Sequence, residues 1–463
     1  MVFSSLSFLY GYLPLAILII KLVPRKLRNA ALFVMSLLFY GWGEPIYIVL
    51  MLISTGVDYI NGLMVHRYHH RKEVAFRFVL FSVIFNIGLL SFFKYFDFIV
   101  ANLNSIGITG ISPLGLALPL GISFYTFQTM SYPIDVYRQE AQVQKNILSF
   151  GAYVSMFPQL IAGPIVRYKT IADQLENRKE TQEQFYEGIL RFSVGLSKKV
   201  LLANTVGAIW IEIQSLALFQ QSVMTAWIGL LAYGFQIYFD FSGYSDMAIG
   251  LGKMLGFEFP ENFNYPYIAQ SISDFWRRWH MTLGEWFRDC IYIPLGGSRK
   301  GSLGFNLLMV WFLTGLWHGA SWNFILWGLY FWVFIYIEKK GIQKLIAQLP
   351  QVCRHLYTLF VVLIGWVLFY FTSWGDTIQF LKLLFGCEVN IFANEITWFY
   401  VRNYAVLWVA LILASIPQTK CWFAEKILRK HEYLIPILIV VSLVVCTAFL
   451  VDASYNPFLY FRF

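Results

Sequence analysis

Residues 314–322 read TGLWHGASW and set one imidazole, that of His318, between glycines and tryptophans in a segment that otherwise belongs in lipid. From Ser302 to Ile337 there is no Asp, Glu, Lys or Arg. An ionisable side chain at membrane depth costs about 3 kcal/mol when charged on insertion scales, so by default it points to function. A histidine can stay neutral there and still accept a proton, as a general base must. The competing reading is a packing histidine hydrogen-bonded to a neighbouring helix.

A second candidate sits in Ser271 to Tyr292, SISDFWRRWHMTLGEWFRDCIY, which holds too many charges to cross lipid exposed. Its tryptophans and arginines suit a helix in the interface, or one dipping into a protein-lined cavity. His280 could be a second catalytic group, with a structural hydrogen bond as an equal rival. Arg277, Arg278, Arg288, Arg299 and Lys300 could meet the phosphates of a donor or an acidic carrier, or anchor to lipid headgroups. Gln236 to Asp246 (QIYFDFSGYSD) places Asp240 and Asp246 among aromatics. Their spacing puts them on different helical faces, and Ser242 and Gly243 suggest a local break. They could orient the histidines or bind the acyl donor; the plainer expectation is pairing with an arginine of the 271–292 stretch. The last residues, NPFLYFRF, are nearly all aromatic, whereas a free tail is usually polar. This tail should pack into a crevice. A sharper reading has it enter a tunnel mouth and offer the Tyr460 phenol as a transient acyl acceptor.

The elements that must hold these groups are membrane helices. Hydrophobic residues make up 58% of the chain and charged ones 13%, against about 25% charged in soluble domains. Mean hydropathy is +0.60. Long unbroken apolar runs favour helices over the alternating pattern of barrel strands. The net charge of +9 sits between apolar runs, as in cytoplasmic loops, so it argues for topology and lipid headgroups and not for nucleic acid. The five cysteines are scattered, with no metal-ligand spacing. The basic cluster Lys21–Arg28 places Met1 outside, Arg67–Lys72 and Arg138–Lys145 mark further cytoplasmic returns, and Lys426, Arg429 and Lys430 before the last apolar run place the C-terminus outside. Pro158, Gly163 and Pro164 mark a broken helix within 148–166. Arg299 and Lys300 before the His318 segment, and Lys339 and Lys340 after it, make that segment two short arms broken near Gly315 and Gly319. The expectation is an all-α polytopic protein, one membrane domain over 1–463, with about ten to twelve membrane segments at roughly 20 residues each.

Seven motifs, in order, add a resemblance: FPQLIAGPIV (157–166), DFSGYSD (240–246), NFNYP (262–266), DFWRRWH (274–280), PLGG (294–297), GLWHG (315–319) and FLYFRF (458–463). Together they resemble the membrane-bound O-acyltransferase family, in its bacterial alginate O-acetyltransferase-like branch. The resemblance implies a ring of helices around a thinned centre pierced by a tunnel. It matches the family's invariant histidine to His318 and its second histidine to His280, and it extends to the terminal motif with Tyr460. It implies acetyl-CoA or an acyl-carrier-protein thioester as co-substrate, with no tightly bound cofactor and no metal. The acyl group would pass to an extracytoplasmic acetyltransferase or esterase-like partner and on to a polysaccharide hydroxyl. D-alanyl transfer to teichoic acid, a transporter, or a non-catalytic scaffold of a polymer-export complex are the alternatives. On this reading Arg277, Arg278, Arg299, Asp240 and Asp246 face the donor, His318 takes the acceptor proton, and His280 polarises the thioester carbonyl. The protein would reside in the cytoplasmic membrane.

Overall fold

The computed structural model describes all residues except 109, 424, 427, 428, 453–457 and 460–463. The described residues are helical, with no strand among them. In lipid a helix satisfies its own backbone, which is why the apolar runs fold this way. Among the described residues, five helices are long and apolar enough to cross a membrane: Ile48–Arg67, Lys72–Ser105, Gln182–Ser215, Gln351–Tyr370 and Leu434–Asp452. A pair bent by 59°, Glu395–Asn403 and Ala405–Ala414, makes a possible sixth. Beside these long helices the expected membrane segments include short and broken apolar runs, such as Ser7–Leu22 and Leu303–His318. The 148–166 run divides into Ile147–Ser155 and Phe157–Leu160, at the predicted Pro158. Leu303–His318 and Trp322–Ile337 are the two expected arms.

The described chain forms two compact units. The first comprises Met1–Leu196 and Tyr244–Pro260. Inside it Asp58 is fully buried and accepts hydrogen bonds from Ser82 Oγ and, at 2.7 Å, from Asn86 Nδ2. Asp135 binds Arg167. A carboxylate at membrane depth persists only when so satisfied.

The second unit comprises Ser197–Gly243 and Glu261–Phe463. Its core is aromatic. Trp210, Trp327 and Trp366 are each 1% exposed, and the Trp276 ring meets Trp311 at 4.9 Å and Phe331 at 4.8 Å, both edge-on. The two arms pack backbone to backbone: a Cβ on Gly315 would lie 2.5 Å from the Phe324 carbonyl oxygen, and one on Gly328 2.3 Å from that of Trp311. Such close approach through small residues is how membrane helices gain packing energy. At the end of the second arm Glu338 is buried and accepts from the backbone N–H of Ile272 at 2.7 Å and Ser273 at 2.9 Å. A carboxylate on these free donors caps helix Ile272–Arg278 and suits its positive end.

Two expectations are corrected. The 271–292 stretch is not one helix; it splits into Ile272–Arg278 and Met281–Phe287, with His280 between them at φ 43°, ψ 53°. In contrast, Ser242 and Gly243 do not break their segment: Val223–Met254 is one continuous helix. Residues 238–252 are buried throughout, and packing on every side outweighs the roughly 1 kcal/mol by which Gly disfavours a helix.

Candidate functional site

His318 is the last residue of its arm, and the chain then turns extended at Gly319. The site needs that glycine, since a Cβ there would lie 2.2 Å from the Phe324 ring. Ser321 Oγ accepts from the Asn323 N–H at 3.3 Å and starts the second arm. His318 is 6% exposed. Three rings surround its imidazole nearly edge-on: Trp317 at 4.9 Å and 77°, Trp327 at 4.9 Å and 81°, and Phe369 at 5.1 Å and 82°. The ring is thereby fixed in direction, in surroundings of low polarity where a proton transfer is strongly felt.

His280 is 3% exposed. Its left-handed backbone is uncommon for a residue with a Cβ and is held by its neighbours. Phe241 lies edge-on to its ring at 4.7 Å, and Trp317 at 5.9 Å, so one indole contacts both imidazoles. His280 Nδ1 is 3.0 Å from Asn262 Oδ1. That same oxygen accepts from Thr282 Oγ1 at 2.9 Å and from the Thr282 N–H at 3.3 Å. An amide oxygen only accepts, so Nδ1 carries the proton and donates. Nε2 of the neutral ring is then an acceptor. Polarising a carbonyl, the role expected for His280, would require the imidazolium form.

The third element is the Asp240 carboxylate, 2% exposed. It pairs with Lys199 and accepts the Leu459 N–H at 2.8 Å. Lys199 comes from a π-helical turn, Lys198–Ala203, inside the long helix Gln182–Ser215; the extra residue in such a turn redirects side chains and is frequent at functional sites. Phe458, 3% exposed, packs on Phe241 at 5.4 Å. Within the aromatic tail, Phe458 and Leu459 are docked as expected, and Tyr460 lies outside the described residues.

Asp240, Phe241, His318, Trp327, Phe369 and Phe458 all face one cavity. About 20 Å³ of it is open to the centre of a water-sized molecule, room for roughly one water.

The other predicted residues fall elsewhere. None of His280, Arg277, Arg278, Arg299 and Asp246 lines this cavity, and His280 is joined to it only through the Trp317 and Phe241 rings. Arg277 has a side chain 72% exposed, 3.7 Å from Asp274. Arg278 binds Asp274 Oδ2 at 3.1 Å and the Asn264 carbonyl at 3.3 Å, which secures the NFNYP loop. Arg299 is exposed, and Arg288 binds Asp289 at 2.8 Å. Asp246 pairs with Arg191 at 2.6 Å. The expected arginine partners for the two aspartates, from 271–292, are therefore replaced by Lys199 and Arg191, both on helix Gln182–Ser215. Sequence reasoning also missed Asn262 and Glu338. A lysine within an apolar stretch, opposite an intramembrane aspartate, was the available signal for Lys199.

Comparison with known proteins agrees with this picture. The model of the membrane-bound O-acyltransferase family matches residues 66–375. The chain is 43% identical to a probable alginate O-acetylase of Pseudomonas putida over 375 residues, 80% of this chain and 77% of that protein. It is 33% identical to a peptidoglycan O-acetyltransferase of Helicobacter pylori over 438 residues, 85% and 83% of the two chains. A teichoic acid D-alanyltransferase of Bacillus subtilis is 29% identical over 233 residues, 47% of this chain and 58% of that one. With its histidine-bearing helix break inside the matched region, this multi-pass α-helical chain belongs to the membrane-bound O-acyltransferase family.

Proposed function

We propose that this enzyme passes an acetyl group from a cytoplasmic thioester across the membrane for O-acetylation of a cell-surface polysaccharide. Family membership makes it an O-acyltransferase. The acetyl group and the polysaccharide class are supported by the alginate and peptidoglycan relatives, which match most of the chain; the D-alanyl relative matches less than half of it. The observation that carries the reading is His318, oriented by three rings on an apolar cavity that Asp240 also lines.

In the reaction the acceptor O–H gives its proton to neutral His318. The oxygen attacks the thioester carbonyl, an O–C bond forms, the C–S bond breaks, and the leaving thiolate takes the proton. His280 does not line the cavity and acts as a positioning residue, through the Trp317 ring that it shares with His318. Asp240 and Lys199 hold the tail segment against the cavity, and Arg277 and Arg299 receive the donor from solvent. Tyr460, next in sequence to Leu459, is the proposed relay that carries the acetyl group to an extracytoplasmic partner enzyme. The donor is acetyl-CoA or an acetylated carrier protein, and the site is cytoplasmic-membrane resident with both termini outside.

Purified protein in proteoliposomes should transfer label from an acetyl thioester to a polysaccharide or partner acceptor, and His318→Ala should not. Transfer that survives His318→Ala would remove the general-base assignment. A Tyr460→Phe protein as active as the parent would remove the relay.

A further inference from the structure

A second cavity opens in the first unit, where the ends of three helices meet. It offers about 270 Å³ to the centres of water-sized molecules, against 20 Å³ beside His318. His69 follows helix Ile48–Arg67, Lys72 begins helix Lys72–Ser105, and Tyr137, Arg138 and Gln139 close Ile122–Tyr137; all five line it. No carboxylate lines it. The nearest acids in sequence are Glu73, exposed on the adjoining helix position, and Glu140, which binds Lys169 at 2.6 Å. The His69 Nδ1–H donates to the His66 carbonyl at 2.8 Å, which fixes that ring at the rim. The concavity therefore gathers a lysine, an arginine and a histidine, the donors that bind phosphate.

What lies beside it selects among phosphates. From Lys72, one helical face continues through Phe76, Leu80, Ile84 and Ile87, with exposures of 50, 44, 61 and 40%. Residues at these spacings stack along one stripe of a helix. Phe76 also meets Tyr137 at 6.0 Å, which joins the apolar stripe to the cavity wall. A cationic hollow continuous with an outward apolar stripe matches an anionic phospholipid, headgroup in the hollow and one acyl chain along the helix.

We propose that this cavity is a binding site for an anionic phospholipid, with Lys72 and Arg138 on the phosphate and Phe76 and Leu80 on the chain. The assignment is independent of the acyl-transfer chemistry. Native mass spectrometry of the full-length protein, with equimolar dioleoylphosphatidylglycerol and dioleoylphosphatidylcholine, tests it. The anionic lipid should be retained at least about tenfold over the zwitterionic one. The double change Lys72→Ala, Arg138→Ala should abolish that preference, whereas Arg25→Ala, Lys26→Ala, which removes equal charge from another exposed basic turn, should keep it. Equal retention of both lipids, or equal loss in both double variants, overturns the site. Displacement of the lipid by sn-glycerol 3-phosphate at comparable concentration overturns the lipid assignment in favour of a soluble phosphate. Should the double variant fold poorly, Lys72→Glu alone, at an exposed position, should also erase the preference, and its failure to do so counts equally against the proposal.

Discussion

At the residue scale, the geometry separates two kinds of histidine role. His318 meets its cavity through aromatic walls and, as the proposed base, should be sensitive to any change. His318→Ala is expected to lower turnover by about 10²–10⁴-fold with a melting temperature near the parent's. Asn262→Ala removes the oxygen that fixes the His280 proton on Nδ1. It should cost at least about tenfold in turnover by the same reasoning, and Asn262→Asp, which keeps the oxygen, should retain more activity. Asp240→Asn strands a buried Lys199 and should destabilise by about 3–5 kcal/mol. Adding Lys199→Met should restore much of that, as read from melting in detergent. His318 was legible because a lone imidazole in an uncharged segment has few bland explanations. The partner of Asp240 was not: Lys199 lies far off in sequence and looks like the polar face of an amphipathic helix. Nor does any composition signal report the left-handed turn at His280, since DFWRRWHM reads as continuous helix until tertiary contacts fix it.

At the element scale, the arm pair Leu303–His318 and Trp322–Ile337 positions His318, and glycines set its separation. Gly328→Ala places a methyl against the Trp311 carbonyl. Overpacking of this kind costs about 1–3 kcal/mol, and it should lower acetyl transfer by shifting His318 while the protein still inserts. Glu338→Ala frees two backbone donors at the start of helix Ile272–Arg278 and should cost about 0.5–2 kcal/mol, the usual range for a lost cap. The break of the arm pair was readable from Gly315, Gly319 and the lack of charge. The cap was not, because Glu338 sits beside Lys339 and Lys340 and reads as part of a solvated loop.

At the molecular scale, the apolar residues left exposed on Lys72–Ser105 and Leu434–Asp452 are a surface that only lipid covers. The all-α class followed directly from run length and charge, whereas the count of full spans did not, since composition does not reveal which apolar runs bend or stop short. The basic clusters predict orientation. In a background with Cys290, Cys353, Cys387 and Cys421 replaced by serine, a cysteine introduced at His70 should react with an impermeant maleimide only from the cytoplasmic side of the membrane, and labelling from outside would reverse the topology.

The bond between Asp240 and the Leu459 N–H also has a consequence for biosynthesis. Phe458 and Leu459 both line the His318 cavity, so a polypeptide cut short before Phe458 lacks two of its walls. Translation that stops before Phe458 is therefore expected to give a protein without acyl transfer, although it spares every long apolar helix.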